Sequence, residues 1–472
     1  MPATLGAAAA RRRPATALSL ALLLLGSAAG AGAQNIPYPG SGDDQSLSYK
    51  GVTLYGIVDI GLQYQTHGAS ASDYIAYSTE PVIQRNSNHS VTALTSSPLS
   101  WSRIGLAGKE PLAGDWSALF RLEVYFNPTS ATLSDGLKSL TLNNGRGLGA
   151  QSANLDSSVA GQLFGGGAVI GLSSARYGSF TLGRQSTVLA EGIIKYDPIE
   201  DGVDSGHAFS LLGGSRTAAG GGVTQDTRLD HSLKYAARYD WLRLGALYQF
   251  TDASGSQNSA LQAQLGASVG AASIDAYYAR KYNAISVSAL TAAQLTALPG
   301  GYSAGNSLAA TVSDNTAYAL MGLYAFKSVT LYGGYERIRF ANPNSPLAPG
   351  YVDIGGYVLA YVNNTAYRNE RVLQVFWGGA KWRVTRDFYL AGGYYGYRQN
   401  SFATGANAGC SSRASSGCSG SERAVGILAD YRLGRRCDTY LGTLWSSVQD
   451  GLASGFLNTA TLTTTLGVRA RF

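Results

Sequence analysis

Charged residues are scarce in this sequence. Lysine, arginine, aspartate and glutamate make up 14% of its 472 residues, whereas a typical soluble domain carries about 25%. Glycine and tyrosine are abundant instead, with 60 and 30 residues. The low charge argues against a soluble β-sandwich or propeller, and no repeat of about 40 to 50 residues supports a propeller.

Cysteine and histidine are also scarce, with three and four residues. The sequence has no C-x-x-C and its histidines are widely separated, so it indicates no metal site and no cofactor. The four histidines show no lipase or protease motif, which argues against an enzyme. Cys410 and Cys418 stand eight residues apart in a Ser/Gly-rich stretch. They predict a disulfide in an exported protein, with Cys437 left over.

Long apolar runs are absent after residue 33. Residues 1–33 combine arginines at 11–13, an apolar stretch and a small-residue site at 31–33, a pattern that predicts a cleaved signal peptide. The alternative is an uncleaved anchor, but the run is shorter than the roughly 20 residues needed to span a bilayer. Residues 34–50 would form a short lead-in. The remaining chain has 33 basic and 29 acidic residues, a net charge of +4.

That small, scattered positive charge permits a mild preference for anions. It argues against a nucleic-acid partner, which would require basic residues concentrated on one face.

Apolar and polar residues alternate along the mature chain, as in strands with one apolar face. At the C-terminus Leu466 and Val468 alternate with Thr465, Gly467 and Arg469. Sixteen such segments are predicted, an even number as in bacterial membrane barrels. They cover residues 51–64, 99–110, 114–126, 166–176, 178–186, 231–240, 241–250, 259–269, 271–282, 314–326, 328–340, 370–384, 387–399, 422–434, 437–448 and 460–472.

The connections between these segments alternate between short and long. Short ones include residues 111–113 and 177–178, and the long ones are rich in Gly, Ser, Asn and Pro. The long ones cover residues 65–98, 127–165, 187–230, 283–313, 341–369 and 400–421. Transmembrane barrels have short periplasmic turns and long outer loops. The sequence therefore predicts an all-β, antiparallel up-and-down transmembrane barrel of sixteen strands over residues 51–472.

Several short motifs occur in order along the chain. They are VTLYGIVD at 52–59, SRIGL at 102–106, GKE at 108–110, LFRLE at 119–123, VIGLSS at 169–174, YG at 177–178, TLGRQ at 181–185, HSLKY at 231–235 and the terminal Phe472. Together they resemble the general porins of β-proteobacteria, trimeric outer-membrane proteins of sixteen strands.

The resemblance implies a homotrimer embedded in outer-membrane lipid and lipopolysaccharide. It also implies a third long loop folded into the lumen, the interior of the barrel, and diffusion of ions and small hydrophilic solutes through it. Phe472 matches the terminal residue that the barrel-assembly machinery reads in outer-membrane proteins.

The chain departs from this family before the fourth strand. Family members commonly have an Asn-Arg-Gln run where this chain has glycines at 165–167. A basic residue expected at the narrowest point is therefore missing. Arg121 stands where the family usually has a neutral residue, and we expect it to compensate.

Strand alternation identifies the charges that should face the lumen, where a porin selects its solutes. The predicted lumen-facing residues are Arg103, Arg121, Glu123, Lys234 and Arg238. Arg184 matches a family motif, but simple alternation places it on the lipid side. A charge there would cost about 2 to 4 kcal/mol at the midplane, so we expect a strand end or a local bulge.

Acidic residues of the third long loop are expected opposite this basic wall. They are Asp197, Glu200, Asp201 and Asp204. Facing acids and bases would create a transverse field across the lumen. A passive porin is the predicted function; the alternatives are a channel specific for organic acids or sugars, and an adhesin or receptor anchored by its barrel.

Overall fold

The computed structural model describes residues 47–67, 89–134, 136–147, 150, 162–199, 208–212, 227–251, 259–354, 356–365, 367–403, 417–453 and 456–472. The helices in these ranges are α1 Gly136–Leu142, α2 Val188–Tyr196 and α3 Ala292–Thr296. None of them is long and apolar enough to cross a membrane.

Twenty strands of the described chain are named in order. They are β1 Ser48–Tyr49, β2 Val52–Gln65, β3 Val91–Ser96, β4 Arg103–Pro111, β5 Trp116–Asn127, β6 Thr132–Leu133, β7 Gly167–Ser174, β8 Gly178–Ser186, β9 Arg228–Tyr239, β10 Leu242–Gln249, β11 Ala260–Val269, β12 Ala272–Ser288, β13 Ser307–Phe326, β14 Val329–Ala341, β15 Val358–Asn364, β16 Arg371–Arg383, β17 Phe388–Gln399, β18 Gly420–Arg432, β19 Cys437–Asp450 and β20 Ala460–Arg471.

The longer strands form a closed antiparallel wall with sixteen strand positions, as predicted. Neighbouring strands pair from β2 round to β20, and β20 pairs back with β2. Strands β3 and β4 pair with the two halves of β2 and act as one interrupted wall strand. The short strands β1, β6 and β15 only add to the edges of β2, β5 and β13. Closure matters because unpaired backbone groups cost several kcal/mol each in hydrocarbon.

Alternation along each strand decides which side chains face outward. In β20, Leu466 is 55% exposed on the outside while Thr465 is fully buried on the inside. In β2, Leu62 and Gln63 alternate in the same way. The outer face is therefore apolar and the inner face largely polar, which confirms the predicted sidedness.

The short turns all lie at one end of the barrel. Two-residue turns join β9 to β10, β11 to β12 and β13 to β14. Gly270, in the β11–β12 turn, adopts φ +57°, the left-handed conformation that such turns require. In an outer-membrane barrel this end faces the periplasm, and the long loops lie at the opposite end.

The prediction that residues 283–313 form a loop was partly wrong. Strand β12 continues to Ser288 and β13 begins at Ser307, so both extend beyond the wall, and β15 lies parallel to the start of β13. Buried apolar residues of α1, β12, β13 and the loop before β15 pack together there. A register shift between Lys281 and Ala284 interrupts β12 near the point where the sequence predicted its end.

The described parts of the third long loop, residues 187–199 and 208–212, lie inside the barrel. Its helix α2 begins after Thr187, whose side-chain oxygen accepts a hydrogen bond from the Ala190 N–H at 3.1 Å, as N-cap residues do. The helix packs against the inner face of β10 to β14. Leu189, Ile193 and Tyr196 are fully buried in this contact. The main apolar core thus lies between the loop and the wall.

Candidate functional site: the constricted lumen

Hydrogen bonds from wall side chains hold the third loop in place. The indole N–H of Trp377 in β16 donates to the Tyr196 carbonyl at 2.9 Å. The Tyr397 hydroxyl in β17 donates to the Leu211 carbonyl at 2.5 Å. The loop is therefore fixed to the wall at two points, Tyr196 and Leu211.

Glycines on the inner face of β18 and β19 let the loop approach the wall closely. Phe209 is fully buried against Gly442 and packs edge-to-face on Tyr440, with ring centroids 5.7 Å apart. A Cβ atom on Gly426 would lie 2.0 Å from the Phe209 carbonyl oxygen, and one on Gly442 would lie 2.5 Å from its ring. Any larger side chain at either glycine would push the loop away from the wall.

The opposite wall carries Arg103, Arg121 and Glu123, which the sequence predicted to face the lumen. Strands β4 and β5 are neighbours, and the structure brings the three side chains together. Arg103 Nε lies 3.8 Å from Glu123 Oε2, and the Tyr55 hydroxyl donates to the same oxygen at 2.9 Å. Two guanidinium groups and one carboxylate leave this group with a net charge of +1.

Arginines also gather at the glycines where the family has a basic residue. A Cβ on Gly167 would lie 3.4 Å from Arg121 Nη2, so the Arg121 side chain extends to the glycines that replace the family's basic residue. Arg228 Nε donates to the Gly166 carbonyl at 2.7 Å. The glycine run therefore accommodates side chains contributed by other strands.

Arg184 lies at a register shift between Gly183 and Gln185, where β8 pairs with β9. Of the two alternatives expected from the sequence, a strand end or a local bulge, the structure contains the bulge. The bulge turns the side chain away from lipid, so that Nε donates to the Gly165 carbonyl at 3.1 Å and Nη1 pairs with Asp230 at 2.7 Å.

Lys234 and Arg238 occupy the lumen-facing positions predicted for β9. Lys234 forms an ion pair with Glu191 of α2 and donates to the Ser186 carbonyl at 3.1 Å. Lys234 thus anchors the third loop, whereas Arg238 is exposed.

The predicted acidic residues do not all face the basic wall. Asp197 is fully buried at the end of α2, where its Oδ1 accepts from the Tyr395 hydroxyl at 2.8 Å. The loop backbone turns this carboxylate towards β17, so the expectation that it borders the channel is corrected. Glu200, Asp201 and Asp204 lie outside the described residues, and their predicted role is not tested.

One charged group of the lumen was missed by the sequence analysis. Asp275 in β12 accepts from Lys195 Nζ and from Arg243 Nε, each at 3.0 Å, and from the Tyr196 hydroxyl at 2.5 Å. Ser273, Asp275 and Tyr277 share the inner face of β12, so alternation could have identified Asp275. The pairing ties α2 to the β10–β12 wall.

Two further predictions concern single residues. Cys418 is disulfide-bonded and Cys437 is free, while Cys410 lies outside the described residues. Phe472 exchanges two backbone hydrogen bonds with Gly56, at 2.9 and 3.1 Å. The C-terminal residue therefore helps to close the seam between β20 and β2.

A closed barrel with an apolar exterior, a polar interior and a loop folded inside is the architecture of a transmembrane pore protein. Residues 15–449 match the family model described as Gram-negative porin. The chain belongs to this family, and it is an integral outer-membrane protein.

Similar proteins agree with this assignment. An outer membrane porin protein of Bordetella pertussis is 28% identical over 206 residues, which cover 42% of this chain and 43% of that protein. The matched stretch is therefore less than half of the relative's length. The anion-selective porin from Comamonas acidovorans has a similar fold, with a TM-score of 0.57 and 17% identity over 89% of this chain and 99% of that one.

The outer-membrane protein OmpT of Vibrio cholerae also shares the fold. Its TM-score is 0.54 at 13% identity, covering 90% of this chain and 99% of that one. A trimer form of OmpT aligns with a TM-score of 0.52, 13% identity and coverage of 89% and 99%.

Proposed function

We propose that this chain forms a passive, water-filled channel, rather than an enzyme, through which ions and small hydrophilic solutes cross the outer membrane. The docking of the third loop carries the proposal. The loop covers the inner wall from β10 to β19, so the remaining passage is bordered by the loop and by the wall that contains β4 and β5. A barrel narrowed by such a loop filters solutes by size and charge.

The charge at this passage favours anions. Arg121 forms no ion pair among the described residues, and its partners in the group, Arg103 and Glu123, have opposite charges. Positive charge at a narrow point attracts anions and repels cations over a distance of about 8 Å at physiological salt. A mild preference for anions is therefore part of the proposed function.

Removing the Arg121 charge tests this preference. Arg121→Gln takes the net charge of the group from +1 to zero, so the reversal potential under a KCl gradient should move towards that of a non-selective pore. Arg398→Gln is the matched control, because Arg398 is exposed on the outer face of β17. Equal reversal potentials for both variants and the unmodified protein would contradict the proposed role of Arg121.

The assembly we propose is a homotrimer surrounded by outer-membrane lipid and lipopolysaccharide and inserted by the barrel-assembly machinery. The trimer form of a protein with the same fold supports the first part. The position of Phe472 at the end of β20 supports the last. Cross-linking in native membranes tests the stoichiometry, with a three-subunit band as the expected product.

A further inference from the structure

A second basic region lies at the periplasmic end of the lumen, away from the third loop. A cavity of about 710 Å³ opens there between the inner faces of β14 to β20 and the turns that join them. Eight lysine and arginine residues and three aspartates line it. None of the described third-loop residues contributes to the lining, so this cavity is distinct from the constriction.

Two of the three aspartates in the cavity form ion pairs with arginines. Arg469 contacts Asp430 at 3.2 Å and Asp438 at 3.0 Å, and Arg471 also pairs with Asp438. These four residues form a compact network on β18, β19 and β20. Of the lining aspartates, only Asp387 is left to offset the other six basic side chains.

Several of the remaining basic groups have no carboxylate partner. Arg383, Arg386, Arg432 and Arg435 form no ion pair with any residue in the described part of the chain, and all four are exposed to the cavity's water. Arg383 is the last residue of β16 and Arg432 the last of β18. Strand alternation places both on the lumen side. The Arg432 N–H donates to the Asp387 carbonyl at 2.7 Å, which joins the β16–β17 turn to the end of β18.

We propose that this cavity, the vestibule, is a binding site for small polyvalent oxyanions at the periplasmic exit of the channel. The guanidinium group presents a planar fork of donors that matches carboxylate and phosphate oxygens. The volume lies within the range of about 300 to 1,000 Å³ typical of small-molecule sites. Several unpaired arginines around one water-filled space favour a ligand with more than one negative charge.

The vestibule would concentrate such anions at one end of the pore, an inference that rests on the proposed channel function. Hydroxyl groups of Ser328, Thr330 and Thr385 also line it and can hydrogen-bond a ligand's remaining oxygens. Binding should weaken as salt is added, because screening shortens the reach of the arginine charges.

Planar-bilayer recordings in KCl test the site, with citrate and pyrophosphate as the carboxylate and phosphate probes. Each is added first to one side of the bilayer and then to the other. We expect citrate, pyrophosphate or both to block the current saturably, and more strongly from one side of the bilayer than from the other. Acetate at equal ionic strength should leave the current unchanged. Whichever probe blocks at the lower concentration identifies the preferred oxyanion.

The double variant Arg383→Gln/Arg432→Gln should raise the half-blocking concentration about tenfold or more, since hydrogen bonds to charged groups are the strong ones. Arg398→Gln/Arg423→Gln is the matched control, because it removes two exposed arginines from the outer faces of β17 and β18. Calorimetric titration of citrate and pyrophosphate into the detergent-solubilised protein gives a second readout that does not require conduction.

The outcomes separate the site from the channel. Normal KCl conductance without asymmetric block, or block that is equal in both double variants, would overturn the vestibule site and leave the channel intact. A folded protein that binds the probes in calorimetry but conducts no current would instead refute the channel.

Discussion

Replacing Phe209 should release the third loop from the wall without opening the barrel. Phe209 is fully buried between the loop and the inner faces of β18 and β19, where its ring meets Tyr440 and Gly442. Truncation of such a residue to alanine costs about 3 to 5 kcal/mol. Because each 1.4 kcal/mol is a factor of ten, the docked state should lose about two to three and a half orders of magnitude in population relative to undocked states.

Single-channel recording measures this loss directly. The Phe209→Ala channel should fluctuate between conductance levels where the unmodified channel is steady, and its third loop should be cleaved faster by added protease. The wall strands keep all their backbone pairing, so the folded barrel should still show its heat-dependent shift in electrophoretic mobility. Phe250→Ala, at an exposed ring just after β10, is the control for the same chemical change elsewhere.

Steady current and unmodified protease resistance in the Phe209→Ala variant would refute the docking argument. They would mean that the hydrogen bonds from β16 and β17 hold the loop without the buried ring.

Three other changes test separate contacts. Gly426→Val places side-chain atoms where the Phe209 carbonyl now lies, and such overpacking costs about 1 to 3 kcal/mol. Protease should therefore cleave the loop faster than in the unmodified protein. Cleavage at the unmodified rate would contradict the close approach of loop and wall. Tyr395→Phe removes the hydroxyl that donates to buried Asp197, which should weaken docking by about 1.5 to 3 kcal/mol; unchanged channel noise would count against that contact. Deleting Phe472 removes two backbone hydrogen bonds at the seam and should lower the folded yield in outer membranes, while Phe472→Tyr should retain it.

Strand alternation made much of this fold predictable. A wall between lipid and water repeats every two residues, so the sixteen strands and their sidedness could be identified from residues such as Leu466 and Thr465. The same rule predicted a strand end or a local bulge at Arg184, and the structure contains a bulge there. A strand with lipid on one face and water on the other alternates apolar and polar residues, and this alternation is visible in the sequence.

Irregular and docked segments were less predictable. The extension of β12 follows a register shift between Lys281 and Ala284, and the docked loop packs against the wall, so an unbroken alternation identifies neither of them. Asp197 illustrates the problem, because its buried hydrogen bond depends on the path of the loop backbone. The lumen-face glycines Gly426 and Gly442 offered a clue, since polar residues are expected there unless something packs against the wall.

The vestibule was missed for a different reason. Arg383 and Arg432 lie at the ends of C-terminal strands, and Arg386 and Arg435 lie in the turns between these strands. Turn residues have no alternation to assign them to a face. Only the barrel closure, which brings β16 to β20 around one space, places these charges together.

The most direct test of the channel is the single-channel conductance of the refolded protein in a planar bilayer, with the reversal potential read under a KCl gradient. We predict open, water-filled channels whose reversal potential has the sign of preferred chloride passage. A correctly folded barrel that carries no current would contradict the channel, and a cation-preferring reversal potential would contradict the role assigned to the basic wall.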